Sequence, residues 1–430
     1  MILFSNYDSR NCRDGHLSHH VIFGNTIYPV GVYSNHPISF FAQTNARFPH
    51  RQFGIKNDDR FSHIYVIGRT GAGKTTLLET LAMQDIYSGH GLCVIDPHGD
   101  LAERLVLCIP EQRINDLYYV NVPDIKQPYG YNPLRKVHSS RIPLAVSGLM
   151  EAFKKLWNEA WGVRMEHILR NTLYALIEAG DAKLPDILRM ISDKNYRAIV
   201  VSKVSNEQVR SFWLEEFKAY NPRYRQEMIA PIQNKVGAFL ADPKLKRIFT
   251  TAPTNLHFRS IMDEGKILIV NLAKGRLGED SASLFGALLV TTIGLAAMSR
   301  GDIPESERRD FFIYIDEFQS FTTLSIANMV SELRKYRIGL VLAHQHLYQL
   351  EPDVRHAVLA NVGTLISFRL GPEDAPLIAR EFEPAFNSTD LINLPNHNIY
   401  LKLMIDGAPS RPFSATSLHP SDFDCLNDRK

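Results

Sequence analysis

One segment of eight residues restricts the possible folds of this chain more than any other feature. Residues 68–75 read Gly-Arg-Thr-Gly-Ala-Gly-Lys-Thr, a full match to the pattern G-x-x-x-x-G-K-S/T. An apolar run at residues 63–67 precedes the segment, and a helical pattern begins at Lys74. In this order, the glycines let backbone N–H groups converge on an anion at the positive end of a helix. The segment therefore predicts a phosphate-binding loop (P-loop) between a strand and a helix.

The side chains of the P-loop indicate which ligand it binds. Lys74 can reach the β- and γ-phosphates of a nucleotide, and the Thr75 hydroxyl can ligate Mg²⁺. We therefore expect ATP and Mg²⁺ as ligands. The expected nucleotide-binding residues are Gly68, Arg69, Thr70, Gly71, Ala72, Gly73, Lys74, Thr75 and Thr76.

Seven further apolar runs, most of them bounded by turn residues, predict strands that are covered on both faces. Helical stretches separate the runs, as at residues 74–88, where Gly89 and Gly91 end the pattern. Alternating strands and helices predict an α/β fold with a mostly parallel sheet and helices on both faces. The runs are residues 92–95, 117–120, 267–272, 311–315, 340–343, 364–368 and 399–404.

The pattern changes to helices alone between about residues 134 and 262, which we interpret as an all-α insertion into the α/β domain. Met165, Ile168 and Leu169 begin one helical face, which ends at Gly180. The predicted division is an N-terminal extension of unknown fold at 1–60, the first part of the α/β domain at 61–133, the insertion at 134–262, and the second part of the α/β domain at 263–430.

The composition excludes a wholly disordered chain, a collagen-like fibre and a small disulfide-stapled scaffold, because 45% of the residues are hydrophobic and 22% are charged. Lys plus Arg number 48 against 46 Asp plus Glu, so the net charge is only +2. This charge says nothing about a polyanionic partner, and any nucleic-acid surface must be local.

Two features bear on cellular location. The cysteines lie far apart without a C-x-x-C pair, so we expect reduced thiols and a cytoplasmic protein. They are Cys12, Cys93, Cys108 and Cys425. The stretch between Asp280 and Arg300 carries no charge and has a borderline length for a membrane span. Its serines, threonines and glycines favour a helix buried in the α/β core, so we expect no membrane anchor of the chain's own.

Two carboxylates follow the buried strand predicted at residues 311–315. Asp316 is expected to hold Mg²⁺ through its water shell, and Glu317 to orient and activate the attacking water. Adjacent acids at this position favour hydrolysis over phosphoryl transfer to a small molecule. The alternative is an ordinary turn at the end of a strand.

An amide follows another predicted strand, because Gln345 lies just beyond residues 340–343. Ligands of open α/β sheets collect at the carboxyl edge of the strands. Gln345 is therefore expected to sense the γ-phosphate or the attacking water, and the alternative is a loop glutamine without such a role.

These elements together resemble the HerA/FtsK superfamily of ring-forming, DNA-pumping ATPases. Within it, the chain is most similar to the type IV secretion coupling and conjugative-transfer ATPases of the TraD/TraG kind and to HerA-like translocases. The matching segments include VIGRTGAGKTTLLE, GLCVIDPHGDL, MDEGKILIVNLAKGRLGED, FFIYIDEFQSF and SELRKYRIGLVLAHQ. The similarity covers about residues 53–415. It implies a RecA-like fold for the P-loop domain and a ring, most simply of six subunits.

The resemblance also implies an arginine that completes the active site of the neighbouring subunit. Arg334 has the spacing from Gln345 that is expected for this residue, and Arg337 is the second choice. Such an arginine is typically worth about 10³–10⁵ in rate, or about 4–7 kcal/mol. The alternative for Arg334 is a solvated helix charge.

Four further charged residues are candidates for contacts with DNA or nucleotide, or for a structural role. The resemblance implies DNA contacts from channel loops, for which Lys274 and Arg276 in a flexible basic loop are the candidates, unless that loop is merely solvated. Asp96 can position a water molecule or a lysine, or can form a plain turn. Arg369 can contact the nucleotide or form a structural salt bridge.

The sequence thus predicts an ATP-driven DNA translocase that hydrolyses ATP with Mg²⁺ between the subunits of a hexameric ring. Lys74, Glu317, Gln345 and Arg334 are its expected catalytic residues. A nuclease, a relaxase or a secretion machine is the possible partner. The alternative is a nucleotide-dependent assembly switch, which forms a ring and recruits such a partner with little pumping.

Overall fold

The computed structural model describes residues 19–23, 26–30, 38–46, 48–157 and 161–423. Its strands are β1 (His19–Phe23), β2 (Thr26–Val30), β3 (Ile38–Thr44), β4 (Gln52–Lys56), β5 (Ile64–Ile67), β6 (Gly91–Asp96), β7 (Leu117–Asn121), β8 (Tyr129–Gly130), β9 (Thr254–Asn255), β10 (Ile267–Asn271), β11 (Phe311–Ile315), β12 (Ile338–His344), β13 (Thr364–Ser367), β14 (Asn398–Lys402), β15 (Met404–Ile405), β16 (Ala408–Pro409) and β17 (Phe413–Ser417). Its helices are α1 (Asn57–Arg60), α2 (Lys74–Tyr87), α3 (Asp100–Leu107), α4 (Ile142–Leu156), α5 (Val163–Ala179), α6 (Asp186–Ser192), α7 (Lys194–Ser202), α8 (Glu207–Ser211), α9 (Phe217–Ala219), α10 (Pro222–Ala241), α11 (Pro243–Thr250), α12 (Phe258–Asp263), α13 (Lys274–Leu277), α14 (Glu279–Ser299), α15 (Leu324–Glu332), α16 (Pro352–Asn361), α17 (Ala375–Phe382) and α18 (Ser388–Ile392).

Within the described ranges, eleven strands form one sheet in the order β4-β3-β17-β14-β13-β5-β12-β11-β6-β10-β7. The strands from β13 to β7 in this order run parallel, and β14, β17, β3 and β4 extend the sheet in antiparallel fashion. The prediction of an α/β fold with a mostly parallel sheet is therefore confirmed. All eight apolar runs identified in the sequence overlap strands of this sheet.

The antiparallel edge of the sheet includes part of the predicted N-terminal extension. Strand β3 pairs with β17 and with β4, so residues 38–56 belong to the main sheet. In β4, buried and half-buried residues alternate, because this edge strand covers the core with one face only. Setting residues 1–60 apart from the α/β domain was therefore wrong for this segment, since so short and mixed a pattern gives little signal of its own.

Side chains on the two faces of the sheet enter two separate cores, as the period of a strand requires. In β5, Ile64 and Val66 belong to the core beneath α2 and α3. Tyr65 and Ile67 belong to the opposite core, which also contains the apolar side chains of α14 and of the helices that follow β8. The predicted insertion at 134–262 therefore shares one continuous core with one face of the sheet. It is helical except for the two-residue strand β9, which pairs with β8, so the prediction of helices alone was wrong at that point.

The uncharged stretch between Asp280 and Arg300 lies in helix α14. The segment Glu279–Asp302 is long and apolar enough to cross a membrane by length and composition, and 78% of its most apolar window is buried inside the structure. It packs against α4 and α12. The prediction of a buried core helix is therefore confirmed.

A buried ion pair joins α1 to the helix that follows the P-loop, and a tyrosine of the sheet contacts it. Arg60 donates to both carboxylate oxygens of Asp85 in α2, at 2.6 and 2.7 Å, and to the Tyr314 hydroxyl of β11 at 2.8 Å. Both side chains of the pair are almost fully buried. Arg60 lowers the pKa of Asp85 below its usual value, against the opposing effect of burial.

Candidate nucleotide site at the carboxyl edge of the sheet

Three sequence motifs meet because their strands are neighbours. Strands β5, β12 and β11 are consecutive and parallel, so their carboxyl ends reach one edge of the sheet. The P-loop follows β5, Gln345 follows β12, and Asp316 and Glu317 follow β11. Because neighbouring strands lie about 4.8 Å apart, the side chains of these motifs are within reach of one another.

The glycines of the P-loop are required by backbone conformation and by close packing. Gly71 and Gly73 have φ angles of 74° and 121°, which L side chains rarely adopt. A Cβ atom on Gly68 would lie 2.5 Å from the Cβ of Phe368, and one on Gly73 would lie 2.9 Å from the ring of Phe368. Phe368, which follows β13, therefore forms a wall behind the P-loop, a contact that sequence reasoning missed.

Lys74 and Thr75 have the surroundings expected for phosphate and metal binding. The buried Lys74 donates from Nζ to the carbonyl oxygens of Gly68 and Arg69, at 2.7 and 3.2 Å, so its ammonium lies over the P-loop. The Thr75 hydroxyl donates to Asp316 Oδ2 at 3.0 Å. A hydroxyl and a carboxylate side by side are hard oxygen ligands that suit Mg²⁺.

Burial changes the proton affinity of this acidic site. It raises the pKa of Asp316 to about 6, and the charge of Glu317 adds to the effect. Burial also lowers the pKa of Lys74, although the two carboxylates oppose this change. A bound divalent cation would favour the ionised form of Asp316, so the arrangement fits a metal held at this edge.

Hydrogen bonds hold both carboxylate oxygens of Glu317. The amide of Gln345 donates to Oε1, and the amide of Gln319 donates to Oε2 at 2.5 Å. The carbonyl oxygen of the Gln345 side chain in turn accepts from the Thr70 hydroxyl at 2.8 Å. Glu317 itself has a left-handed backbone with φ of 46°, which turns the chain sharply away from β11. The P-loop and the carboxylate are thus joined by one chain of side chains.

Sequence reasoning missed two residues that contact the Glu317 turn. Gln319 lies two residues beyond Glu317 inside the quoted segment FFIYIDEFQSF, so the adjacent motif was an available signal. Lys155 of α4 donates to the Gln319 carbonyl oxygen at 2.6 Å, across 164 residues of chain. No sequence pattern connects Lys155 with this turn.

His344 supports the turn from within the core. Its Nδ1 lies 3.0 Å from the Tyr65 hydroxyl, and its ring lies beside the rings of Tyr65 and Phe318. Burial lowers the pKa of His344 to about 3, so the imidazole is neutral at physiological pH. His344 therefore packs as a core side chain immediately before Gln345.

Asp96 and Arg369 lie at the same edge of the sheet with different contacts. Asp96 accepts the backbone N–H groups of His98 and Ala102, both at 2.9 Å, which favours the turn interpretation. The Arg369 carbonyl oxygen accepts the Arg69 N–H of the P-loop at 2.8 Å, and the Arg369 Nε is buried without a hydrogen-bond partner. Arg369 is thus next to the P-loop, and its contact with nucleotide stays a prediction.

The structure separates Arg334 from the P-loop of its own chain. Arg334 is exposed in the turn Leu333–Tyr336 before β12, whereas Gln345 follows that strand. The seven residues of β12 span about 23 Å. Arg337 is engaged within its own chain, because its guanidinium bonds Asp310 at 2.6 Å. Arg334 is therefore the better candidate for a contact with a neighbouring subunit.

The segment with Lys274 and Arg276 is not the flexible loop that the sequence suggested. Residues Lys274–Leu277 form the helical turn α13, and the Lys274 N–H donates to the Pro97 carbonyl oxygen at 2.8 Å. The expectation of a flexible loop was wrong because this backbone is satisfied by the neighbouring turn after β6. Arg276 is exposed, and its contact with DNA stays a prediction.

The structure describes Cys93 and Cys108, which are not joined in a disulfide, while Cys12 and Cys425 lie outside the described residues.

A P-loop beside a strand-end carboxylate pair, on a mostly parallel sheet with helices on both faces, defines a P-loop NTPase. Residues 57–293 match the family described as Helicase HerA, central domain. This match covers more than half of the chain, and the chain belongs to that family.

Two coupling proteins are among the proteins that are similar to this chain. The Type 4 coupling protein DotL of Legionella pneumophila is 21% identical over 369 residues, which are 72% of this chain and 47% of DotL. The chain therefore spans about half the length of that curated relative. The plasmid coupling protein TrwB in complex with GDPNP is 18% identical, with a TM-score of 0.60 over 84% of this chain and 87% of TrwB.

Two further structures show the same fold. TrwB in complex with ADP and Mg²⁺ has a TM-score of 0.59 and 16% identity, over 85% of this chain and 87% of that chain. VirB4 of Thermoanaerobacter pseudethanolicus has a TM-score of 0.57 and 14% identity, over 83% of this chain and 89% of VirB4. The expectation of a HerA-like P-loop protein is therefore confirmed by the family match, and the solved structures agree with it in fold.

Proposed function

We propose that this chain is a motor that hydrolyses ATP with Mg²⁺ and uses the free energy to move DNA. The observation that carries the proposal is the hydrogen-bond chain from Thr70 through Gln345 to Glu317, which joins the P-loop to a carboxylate. This arrangement suits hydrolysis, because a carboxylate fixed beside the phosphate site can accept a proton from an attacking water.

Each residue of the site has a separate task in this mechanism. Lys74 and the backbone N–H groups of the P-loop bind phosphate oxygens. Thr75 and Asp316 hold Mg²⁺, which neutralises charge on the phosphates when it is bound. Glu317 orients water, and Gln345 relays the state of the P-loop to it through Thr70. The complexes of TrwB with GDPNP and with ADP and Mg²⁺ support these ligands.

Hydrolysis at an interface between subunits accounts for the position of Arg334. An exposed arginine at the edge of the sheet opposite the P-loop cannot serve its own nucleotide, but it can serve that of a neighbour in a closed ring. We infer a hexameric ring. Lys274 and Arg276 are its DNA-binding residues, which form and release contacts with the backbone phosphates without reading the sequence.

The wider setting follows from the same proposal. The coupling proteins among the similar proteins favour a role in moving DNA towards a secretion machine, a relaxase or a nuclease. Cys93 and Cys108, which are not joined in a disulfide, suit a cytoplasmic location.

The decisive experiment measures ATP hydrolysis with and without long DNA. We expect DNA to stimulate turnover several-fold, and Glu317→Gln to lower kcat by about 10²–10⁴-fold with nucleotide affinity retained. Glu307→Gln, at an exposed turn, is the matched control. A slow rate of ATP hydrolysis that is the same with and without DNA, together with ring formation that requires ATP, would instead support the assembly switch.

A further inference from the structure

The turn that carries Glu317 is contacted from two directions. On the side of the P-loop, Gln345 donates to one carboxylate oxygen. On the other side, Gln319 donates from Nε2 to Oε2 at 2.5 Å. Two donors on two oxygens of one carboxylate define the plane of that group, so a shift of either amide rotates it.

The second amide belongs to a turn that the helical insertion holds. Lys155, near the end of α4, donates from Nζ to the Gln319 carbonyl oxygen at 2.6 Å and to the Thr322 hydroxyl at 3.2 Å. The Thr322 hydroxyl also donates to the Gln319 carbonyl oxygen, at 3.1 Å. One ammonium of the insertion therefore contacts the turn that contains Gln319 at two points, Gln319 itself and Thr322.

The amine of Lys155 lies in a low-polarity setting for a lysine. The residue as a whole is exposed, but the lost hydration of its amine lowers the pKa to about 8. The hydrogen-bond acceptors of the ammonium are a neutral carbonyl and a hydroxyl, and the charge of Glu351 also opposes the loss of its proton. A contact of this kind is sensitive to small movements of α4, because its strength falls steeply with distance and angle.

The turn is also supported from beneath by α14, so movement is transmitted rather than absorbed. Phe321 is buried, and a Cβ atom on Gly286 of α14 would lie 2.2 Å from its ring. Helix α4 packs against α14 along the same side of the sheet. If α4 moved along α14, we expect the contact of Lys155 with the turn to change while Phe321 stays packed against Gly286.

We propose that Gln319 is a positioning residue for Glu317 and that Lys155 couples it to the helical insertion. This inference rests on the proposed ATP hydrolysis and extends it. The insertion sets the rate of hydrolysis by holding or releasing the Glu317 carboxylate, while phosphate binding by the P-loop is unaffected. A movement of the insertion caused by DNA or by a partner then reaches the site without any direct contact with nucleotide.

The test compares Lys155→Met with Lys154→Met in the full chain. Lys154 is the neighbouring exposed lysine of the same helix and serves as the matched control. We expect Lys155→Met to lower kcat by about 3- to 30-fold with an unchanged KM for ATP, and Lys155→Arg to restore most of it. Gln319→Ala should lower kcat by about 10- to 100-fold, again without a change in KM.

A second measurement follows the turn itself. Hydrogen–deuterium exchange of the segment from Glu317 to Thr322 should be faster in Lys155→Met than in the wild type and in Lys154→Met. Equal kcat in all three proteins, or exchange as slow in Lys155→Met as in the control, would overturn the coupling. A rise in the KM for ATP, or a lower midpoint of unfolding, in Lys155→Met would show a merely structural role for Lys155 and would overturn the coupling. A wild-type protein that does not hydrolyse ATP contradicts the proposed function instead, and this inference with it.

Discussion

Single buried charged groups bear directly on the stability of this fold. The pair formed by Arg60 and Asp85 is almost fully buried, and Ser39, Tyr314 and His90 add hydrogen bonds to it, although the Arg60 Nε has no partner. Such a pair adds little over a well-packed apolar core, but removal of one partner leaves a buried charge without compensation. The effect of the pair on the free energy of unfolding is therefore measured by replacing one of its two members.

We predict that Asp85→Asn lowers the free energy of unfolding by about 3–5 kcal/mol at pH 7. Arg60 lowers the pKa of Asp85 in the folded state, so the ionised carboxylate contributes its full stability above the unfolded value of 3.8. That contribution is lost as the pH falls from 3.8 towards the folded pKa, so the difference from the wild type should narrow there. Urea unfolding between pH 3 and 8 measures both effects.

The control for this prediction is Asp181→Asn, which removes a fully exposed partner of Lys203. It should leave the unfolding curve almost unchanged, because solvent screens exposed ion pairs. Equal effects of the two substitutions would contradict the role given to burial.

At the scale of elements, α14 is the support for the turn beyond β11. Its glycines allow close approach to the two elements that follow this strand: Gly286 faces Phe321, and Gly294 faces Met329 of α15. The long apolar helix therefore positions the catalytic edge, although its sequence shows only that it is buried.

We predict that Gly286→Ala destabilises the fold by about 1–3 kcal/mol and lowers kcat, because the new methyl group displaces the Phe321 ring. Gly237→Ala in α10 is the matched control, since nothing lies within 4 Å of its added Cβ. There the better helix propensity of alanine should stabilise the protein by up to about 1 kcal/mol. Thermal unfolding and ATPase assays on both variants test this, and a Gly286→Ala protein as stable and active as the control would contradict it.

The helical turn α13 follows the carboxyl end of β10 and carries two basic residues, Lys274 and Arg276. We predict that the double change Lys274→Ala and Arg276→Ala weakens DNA binding and reduces the slope of log affinity against log salt by about 2, because two phosphate contacts are lost. Arg223→Ala, an exposed arginine of α10, should change neither quantity. Fluorescence anisotropy at several salt concentrations measures the slope, and an unchanged slope would remove α13 from the DNA surface.

At the scale of the whole molecule, the sheet separates two functional ends. The P-loop lies at the carboxyl edge of β5, and Arg334 precedes the amino end of β12. Because β5 and β12 are parallel neighbours, the P-loop and Arg334 lie at opposite edges of the sheet within one chain. If Arg334 takes part in hydrolysis, as we propose, it does so in the site of a second copy of the chain.

We predict that Lys74→Ala and Arg334→Ala proteins each lose at least about 10³-fold in turnover, and that mixing them restores part of it. In a mixed ring, an intact P-loop from one variant meets an intact Arg334 from the other. Native mass spectrometry with ATP and DNA confirms assembly of the mixture. If mixed rings form but never recover turnover, the shared site is wrong.

Much of this organisation could be predicted from the sequence. The P-loop, the strand-end acids and the eight apolar runs are local patterns, and each specifies its own backbone within a few residues. The carboxyl ends of parallel strands necessarily share an edge, so the meeting of the P-loop, Asp316 and Gln345 also followed from these patterns. The antiparallel strands β3 and β4 were missed because β4 is a short edge strand of five residues, and because the burial of β3 does not alternate regularly across the bulge between Phe40 and Ala42.

The sequence by itself therefore determined the class of fold, the phosphate site and the family, because these depend on short-range backbone geometry and on strand order. Tertiary structure alone decided that Lys155 reaches Gln319 across 164 residues, that Phe368 closes the P-loop, and that Arg334 faces away from it. Such contacts arise when helices and sheet pack into one core, and no local pattern records which distant side chains that packing brings together.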